Sequence, residues 1–397
     1  MRTSYIIDVI RTPIGRLGGK LSTVRPDDLL ALVIKELMQR NPNVDVNAIE
    51  DVIAGAANQA GEDNRNVARM AVLLAGLPIT IGGNTVNRLC ASGLQAVMDS
   101  ARAIMCGDGE IYIAGGVESM TRAPFVMAKN QEPWSRKVEV FDTSIGWRFV
   151  NNKLAEKFYP YNMGETAENV AKQYNISRED QDAFAASSQQ KYFAALEAGK
   201  WKQEIVPVQI TENNTLTIFQ EDEHPRRTSV EKLASLKPAF VKDGTVTAGN
   251  SSGINDGAAA MLLASEQGVI KYGLKPMAKV VSMAIAGVDP SVMGMGPVPA
   301  TQKALQRAGL TLDDIDLIEM NEAFASQSIA CIRELNINTN KLNVNGGSIA
   351  IGHPLGCSGV RISATLLHEM KRRNARYGLA TMCVGVGQGA AVIYEKV

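Results

Sequence analysis

Histidine and tryptophan are scarce in this 397-residue sequence, with three of each, and its five cysteines form no C-x-x-C pair. That spacing, at 90, 106, 331, 357 and 383, argues against a disulfide scaffold and against a usual structural zinc site. It favours a reducing compartment. An excess of one charge is also lacking: Lys plus Arg and Asp plus Glu both number 41. No nucleic-acid partner is expected, and an anionic ligand must be held by local groups rather than by a global field. No uninterrupted apolar stretch reaches membrane-spanning length, so no membrane partner is expected. The segment Met1–Ile10 has a short apolar run broken by Asp8, without the long apolar region and cleavage site of a secretion signal. The C-terminal Glu395-Lys396-Val397 is not a peroxisomal signal. A cytoplasmic location is the expectation. What remains is 45% hydrophobic and 21% charged, ordinary for a soluble enzyme of two or three domains.

Short β-rich runs alternate with longer helical stretches. The pattern predicts a strand over Tyr5–Ile10 and an amphipathic helix over Pro26–Gln39. A further strand starts at Asp51–Ile53, a helix covers Cys90–Met105, and a strand over Glu110–Ala114 ends in Gly115-Gly116. This alternation implies an α/β layered fold. The plan repeats weakly at an offset of about 265 residues. Asp51–Asn58 resembles Asp316–Ala323, Leu89–Gly93 resembles Leu355–Gly359, and Ile111–Gly116 resembles Leu379–Gly385. Chance similarity among glycine-rich turns is the competing explanation. The stretch from about 120 to 245 differs. It holds all the tryptophans, dense charge, and a long predicted helix over Arg178–Ala198 capped by Ser177. It is too apolar for a disordered linker and reads as an inserted lid or loop. The expected segments are 1–120, a loop domain over 121–245, 246–270 completing the first half, and 271–397 as the second half.

Two cysteines and one histidine stand in glycine-rich settings. Cys90 follows Val86-Asn87-Arg88-Leu89 and precedes Ala91-Ser92-Gly93. It is either a buried small side chain or a nucleophile at a helix start, where dipole and free amides lower a thiol pKa. His353, in Gly346–Gly356, is restricted by Pro354. It is a loop histidine, a ring held for catalysis, or a metal ligand with Cys357; the last lacks further ligands, so no metal is expected. Cys383 follows an apparent strand over Gly378–Met382, and Gly385, Gly387 and Gly389 suit a turn whose amides face a ligand. A plain tight turn is the alternative. Asn321 follows a strand over Ile315–Glu319, where α/β sites collect, and a helix cap is equally open.

Together these segments resemble the thiolase family over essentially the whole chain. The matching blocks are Val86–Gly93, Ala114–Met120, Val246–Ala260, Asn321–Ala325, Gly346–Gly356 and Cys383–Gly389, all in the family's order. The resemblance implies two similar βαβαβ-type halves with an inserted loop domain, a homodimer or homotetramer, and CoA and acyl-CoA as substrates with no further cofactor. It implies Cys90 as the acylated nucleophile, His353 as its activator, and Cys383 as a second acid/base. His353, with a water held by Asn321, would form one oxyanion hole; the amides of Cys90 and Gly385 would form another. Ser252 falls where the family contacts pantetheine, and Arg226 looks like a contact to the CoA nucleotide. Two half-reactions at one site imply ping-pong kinetics.

Short-chain biosynthetic members carry His-Met-Gly where this sequence has Asn162-Met163-Gly164. The segments Gly61–Met70 and Asp142–Val150 instead resemble the subgroup acting on 3-oxoadipyl-CoA, whose acyl chain ends in a carboxylate. Arg148, then Arg136, are the candidate partners for that carboxylate, with a solvated surface arginine as the alternative. Met163 belongs to the expected acyl-binding set. Acetoacetyl-CoA and medium-chain 3-oxoacyl-CoA are the rival substrates. A decarboxylating ketoacyl synthase needs no second catalytic thiol, a CoA-binding protein without catalysis needs none of the three residues, and a redox-thiol protein needs a resolving cysteine.

Overall fold

The computed structural model describes residues 2–212 and 215–397. Its frame is a ten-stranded sheet. From one edge the strands run Leu317–Met320, Tyr377–Val384, Gln388–Lys396, Ala278–Gly287, Ser4–Arg11, Asn255–Ser265, Ile111–Ser119, Ile49–Gly55 and Asn84–Val86; Gly15–Arg16 pairs with Asn255–Ser265. The repeat is visible in the pairing. Ile49–Gly55 and Ile111–Ser119 are parallel, and so are Leu317–Met320 and Tyr377–Val384. The next pairs in each half are antiparallel. The halves join where Tyr5 meets Lys279 and Ile6 meets Ala278.

The helices Ser92–Cys106 and Leu355–Arg373 occupy corresponding places and pack on each other between strands of both halves. Pro26–Arg40 covers the outer face of the first half, and Pro297–Ala308 that of the second. The result is five alternating helix and sheet layers with the largest apolar cluster in the middle. Asn255–Ser265 and Ile111–Ser119 are covered on both faces and buried at every position; their middles are apolar, and their buried polar residues, such as Asp256 and Glu118, lie toward the ends. Helix Arg178–Glu197 is capped by Ser177, whose side chain accepts from the Asp180 amide.

Two sequence expectations change. The strand expected to end at Gly115-Gly116 runs on to Ser119. A Cβ at Gly116 would collide with the Gly356 carbonyl oxygen, so the glycine admits the central helix rather than ending the strand. The helix expected from Cys90 begins at Ser92; Cys90 lies in a short 3₁₀ turn, Leu89–Ala91. The paired glycines of the repeat explain this crowding. A Cβ at Gly93 would lie 2.6 Å from the Gly356 oxygen, and one at Gly359 would strike the Leu94 backbone. No helix among the described residues is long and apolar enough to cross a membrane.

Candidate active site

The turn carrying Cys90 is held by its own neighbours. Ser92 Oγ accepts from the Arg88 amide at 2.9 Å and donates to the Leu89 carbonyl at 2.7 Å. Arg88 reaches the other half, donating to Gln388 Oε1 at 2.7 Å. Leu89 has a positive φ of 46°, a strained geometry that turns the chain into the helix. The Gly385 amide donates toward the Cys90 sulfur, and the Cys90 amide lies beside it. Burial nevertheless pushes the thiol up to about 11, with the Glu118 charge adding to the rise. The lowering expected from a helix start is therefore outweighed, because strand Tyr377–Val384 and the second central helix, Leu355–Arg373, close around this turn.

His353 is fixed by a directed chain of bonds. Ser358 Oγ donates to the Pro354 carbonyl at 2.8 Å, so it accepts from His353 Nδ1 at 2.6 Å. That assigns the proton to Nδ1 and leaves Nε2 with a lone pair, 3.3 Å from Asn321 Nδ2. Burial, then the Arg361 charge, holds the imidazole down to about 3, so it is neutral at ordinary pH. The resting pair is a thiol and a neutral base. The His353 amide donates to Asn255 Oδ1 at 2.9 Å, and Asn255 ties that loop to Gly15. Asn321 caps no helix: the next helix, Ala325–Leu335, has Phe324 at its N-cap.

Cys383 lies inside strand Tyr377–Val384 rather than after it, fully buried among Ala167, Val246, Met293, Ala323 and Phe324. Burial, then the charges of Cys90 and Cys331, pushes its thiol well above the usual range. The turn at residues 385–387 follows, with Val386 and Gly387 at positive φ. The Met163 sulfur lies 3.6 Å from where a Gly385 Cβ would sit. Cys90, Gly385 and Met163 thus lie together with Cys383 nearby, and Asn321 and His353 meet each other directly.

Arg226 lines a cavity of about 210 Å³ with Gln189, His224, Arg227, Lys232 and Ala248. His224 packs against Gly253, beside Ser252, whose amide donates to the Ala323 carbonyl at 3.0 Å. The cationic cavity therefore connects by way of Ser252 to the Asn321 segment. Arg148 is half-buried and Arg136 exposed, and among the described residues neither pairs with a carboxylate. Beside Arg148, Trp147 donates to the Tyr161 carbonyl at 3.0 Å, two residues from Met163.

Two buried carboxylates support the site: Glu118, which went unread in the sequence, and Glu322, the polar neighbour of Asn321 at the end of its strand. Glu118 accepts from the amides of Ala57, Asn58 and Gly356 at 2.8–3.0 Å, and burial raises it to about 7. Glu322 accepts from Ser188, Asn343 and the Ile349 amide. They pin the starts of the two helical segments that flank His353. Both fall inside blocks that the family shares, which for Glu118 was the only available signal. Among the described residues, no three His, Cys, Asp or Glu side chains cluster as a metal site would require.

Residues 4–267 match the family model described as the N-terminal domain of thiolase, and residues 274–396 match that of its C-terminal domain. The chain is 57% identical, over the full length of both, to the 3-oxoadipyl-CoA/3-oxo-5,6-dehydrosuberyl-CoA thiolase of Escherichia coli K12. It is 56% identical, again over both whole chains, to the β-ketoadipyl-CoA thiolase of Pseudomonas aeruginosa. A crystal structure of human mitochondrial 3-ketoacyl-CoA thiolase in complex with CoA superposes with a TM-score of 0.93 at 40% identity, over 100% of this chain and 98% of that one. The fold and the gathered residues belong to one class of acyltransferase: this chain is a member of the thiolase family.

Proposed function

We propose that the protein cleaves 3-oxoadipyl-CoA with CoA to give acetyl-CoA and succinyl-CoA. The observation that supports the chemistry is the neighbouring pair of thiols, Cys90 under the Gly385 amide and Cys383 beside it, with the Nδ1 proton of His353 fixed by Ser358 so that Nε2 is left as the base. The relatives named 3-oxoadipyl-CoA/3-oxo-5,6-dehydrosuberyl-CoA thiolase and β-ketoadipyl-CoA thiolase, and an Arg148 without a carboxylate partner among the described residues, support the substrate.

His353 Nε2 takes the Cys90 proton as sulfur attacks the 3-keto carbon. The amides of Cys90 and Gly385 hold the oxyanion, a donor pair worth about 3 kcal/mol per member. The C2–C3 bond breaks, and its electrons form an acetyl-CoA enolate whose oxygen faces His353 and Asn321. Cys383, a thiol at rest, protonates C2 and becomes a thiolate. That thiolate takes the proton of incoming CoA. The CoA sulfur displaces the acyl group from Cys90, which recovers its proton from His353. The Cys90 proton returns from His353, and the CoA thiol proton replaces the one Cys383 gave to C2, so the cycle closes on the chain's own residues and calls for no metal or further cofactor.

Arg226, in the cationic cavity, and Ser252 would take the nucleotide and pantetheine of CoA. Met163 would border the acyl group, with Arg148 at its carboxylate end. The segment 121–245 would act as the loop domain. Its exposed Phe125, Met127, Trp134, Val138 and Val140 favour burial in a homodimer or homotetramer. A cytoplasmic location completes the reading. The test compares kcat/KM for 3-oxoadipyl-CoA, acetoacetyl-CoA and 3-oxooctanoyl-CoA. Preference for the first is expected; preference for either other substrate overturns the substrate and leaves the thiol chemistry standing.

A further inference from the structure

Arg361, on the central helix Leu355–Arg373, is fully buried. Glu319, Arg11, Glu204 and Cys357 are the ionisable groups around it. Among the described residues none of the carboxylates forms an ion pair with it, and its Nε and Nη1 have no protein hydrogen-bond partner. Its direct bond is from Nη2 to Ser348 Oγ, at 2.5 Å. A buried cation without a paired carboxylate is unfavourable for the fold, so packing alone is a poor reason for it.

The bonds beyond Ser348 run in one direction. A guanidinium only donates, so the Ser348 oxygen must receive. The Ser348 hydrogen is then free to go to Asn321 Oδ1, 2.6 Å away. With its oxygen so engaged, the Asn321 amide turns its NH₂ end toward His353 Nε2. A flipped amide would instead face Nε2 and the substrate oxygen with a second acceptor.

We propose that Arg361 and Ser348 are positioning residues: through their bonds they lock the Asn321 amide with its donor end toward the enolate oxygen of the departing acetyl thioester. The inference rests on the oxyanion role proposed above for Asn321 and His353. It concerns only that oxygen site. The site formed by the Cys90 and Gly385 amides serves acyl transfer and does not depend on the relay.

Two exchange reactions of the full-length enzyme separate the sites. Exchange of labelled CoA into acetyl-CoA reports acyl transfer through Cys90. Wash-in of deuterium at the acetyl methyl group reports formation of the enolate. Ser348→Ala is expected to slow deuterium wash-in by on the order of tenfold to a hundredfold, as loss of one well-placed donor does, while CoA exchange changes by less than about threefold. Arg361→Met is expected to slow deuterium wash-in likewise, and the double variant to be no worse in wash-in than the more impaired single one, because both act in one chain of bonds; since the Arg361 charge also bears on His353, the comparison with CoA exchange is read from Ser348→Ala. Proportional loss of both reactions in Ser348→Ala, unchanged wash-in in either single variant, or additive losses of wash-in in the double variant would overturn the inference. Asn321→Ala is measured alongside: if it spares deuterium wash-in, the oxyanion role itself fails and the relay falls with it.

Discussion

The two halves of this molecule share strand order, pairing and a central helix, yet differ at one hairpin. In the second half, residues 385–387 join Tyr377–Val384 to Gln388–Lys396. In the first, residues 120–254 lie between Ile111–Ser119 and Asn255–Ser265. The short turn leaves no room for anything but backbone amides, and it points one of them at Cys90. The long connection carries the cationic cavity and Arg148. One frame thus gives two arrangements: a tight half holding His353 and Cys383, and an expanded half holding Cys90, the cationic cavity and Arg148.

The sharpest break of that comparison is Cys90→Ser, which removes the proposed nucleophile and should leave both halves folded. Thiolysis should fall by on the order of a thousandfold or more with an unchanged melting temperature. Retained activity would place the nucleophile elsewhere. Next, Gly359→Ala strikes the seam between the halves, where a methyl would meet the Leu94 backbone. Thermal or denaturant unfolding should show a loss of about 1–3 kcal/mol or more. The repeat-related Gly93→Ala should do less damage, because its nearest contact, also backbone, is farther away at 2.6 Å. Arg148→Ala tests the expanded half alone. It should raise KM for 3-oxoadipyl-CoA about tenfold, near 1.4 kcal/mol, and spare acetoacetyl-CoA. Equal effects on both substrates would remove Arg148 from substrate choice.

The smallest expected effect is a flat line. His353 is held down to about 3 by burial and the Arg361 charge, so its neutral, proton-accepting form persists as pH falls past the ordinary histidine range. The rate of Cys90 acylation should therefore show no acid limb due to this histidine between about pH 5 and 7. A limb near 6.5 in wild type that disappears in His353→Asn would contradict that environment.

Part of the site's geometry was legible because scarce residue types stood in glycine-rich blocks: Cys90 lies by Gly385 and Cys383, and His353 meets Asn321. The α/β repeat was legible too, since Leu89–Gly93 and Leu355–Gly359 lead into the corresponding central helix of each half. The direction of the Cys90 shift was not. A helix start argues for a low value, and only the burial brought by a second helix and by strand Tyr377–Val384, both far along the chain, reverses it. Ser348, Ser358 and Arg361 were missed for the same reason. Serine and arginine carry no spacing signal, and their bond directions exist only once Gly346–Gly356 folds against the central helix. The glycines at 115 and 116 misled because their small size serves a neighbouring helix, a contact that local sequence does not encode.

The division of labour between the two thiols is tested most directly by rapid quench and mass spectrometry of Cys383→Ser mixed with acetyl-CoA. The expected result is a stoichiometric acetyl group on Cys90 together with loss of deuterium exchange at the acetyl methyl group. An unacylated Cys90, or methyl exchange at the wild-type rate, would contradict it.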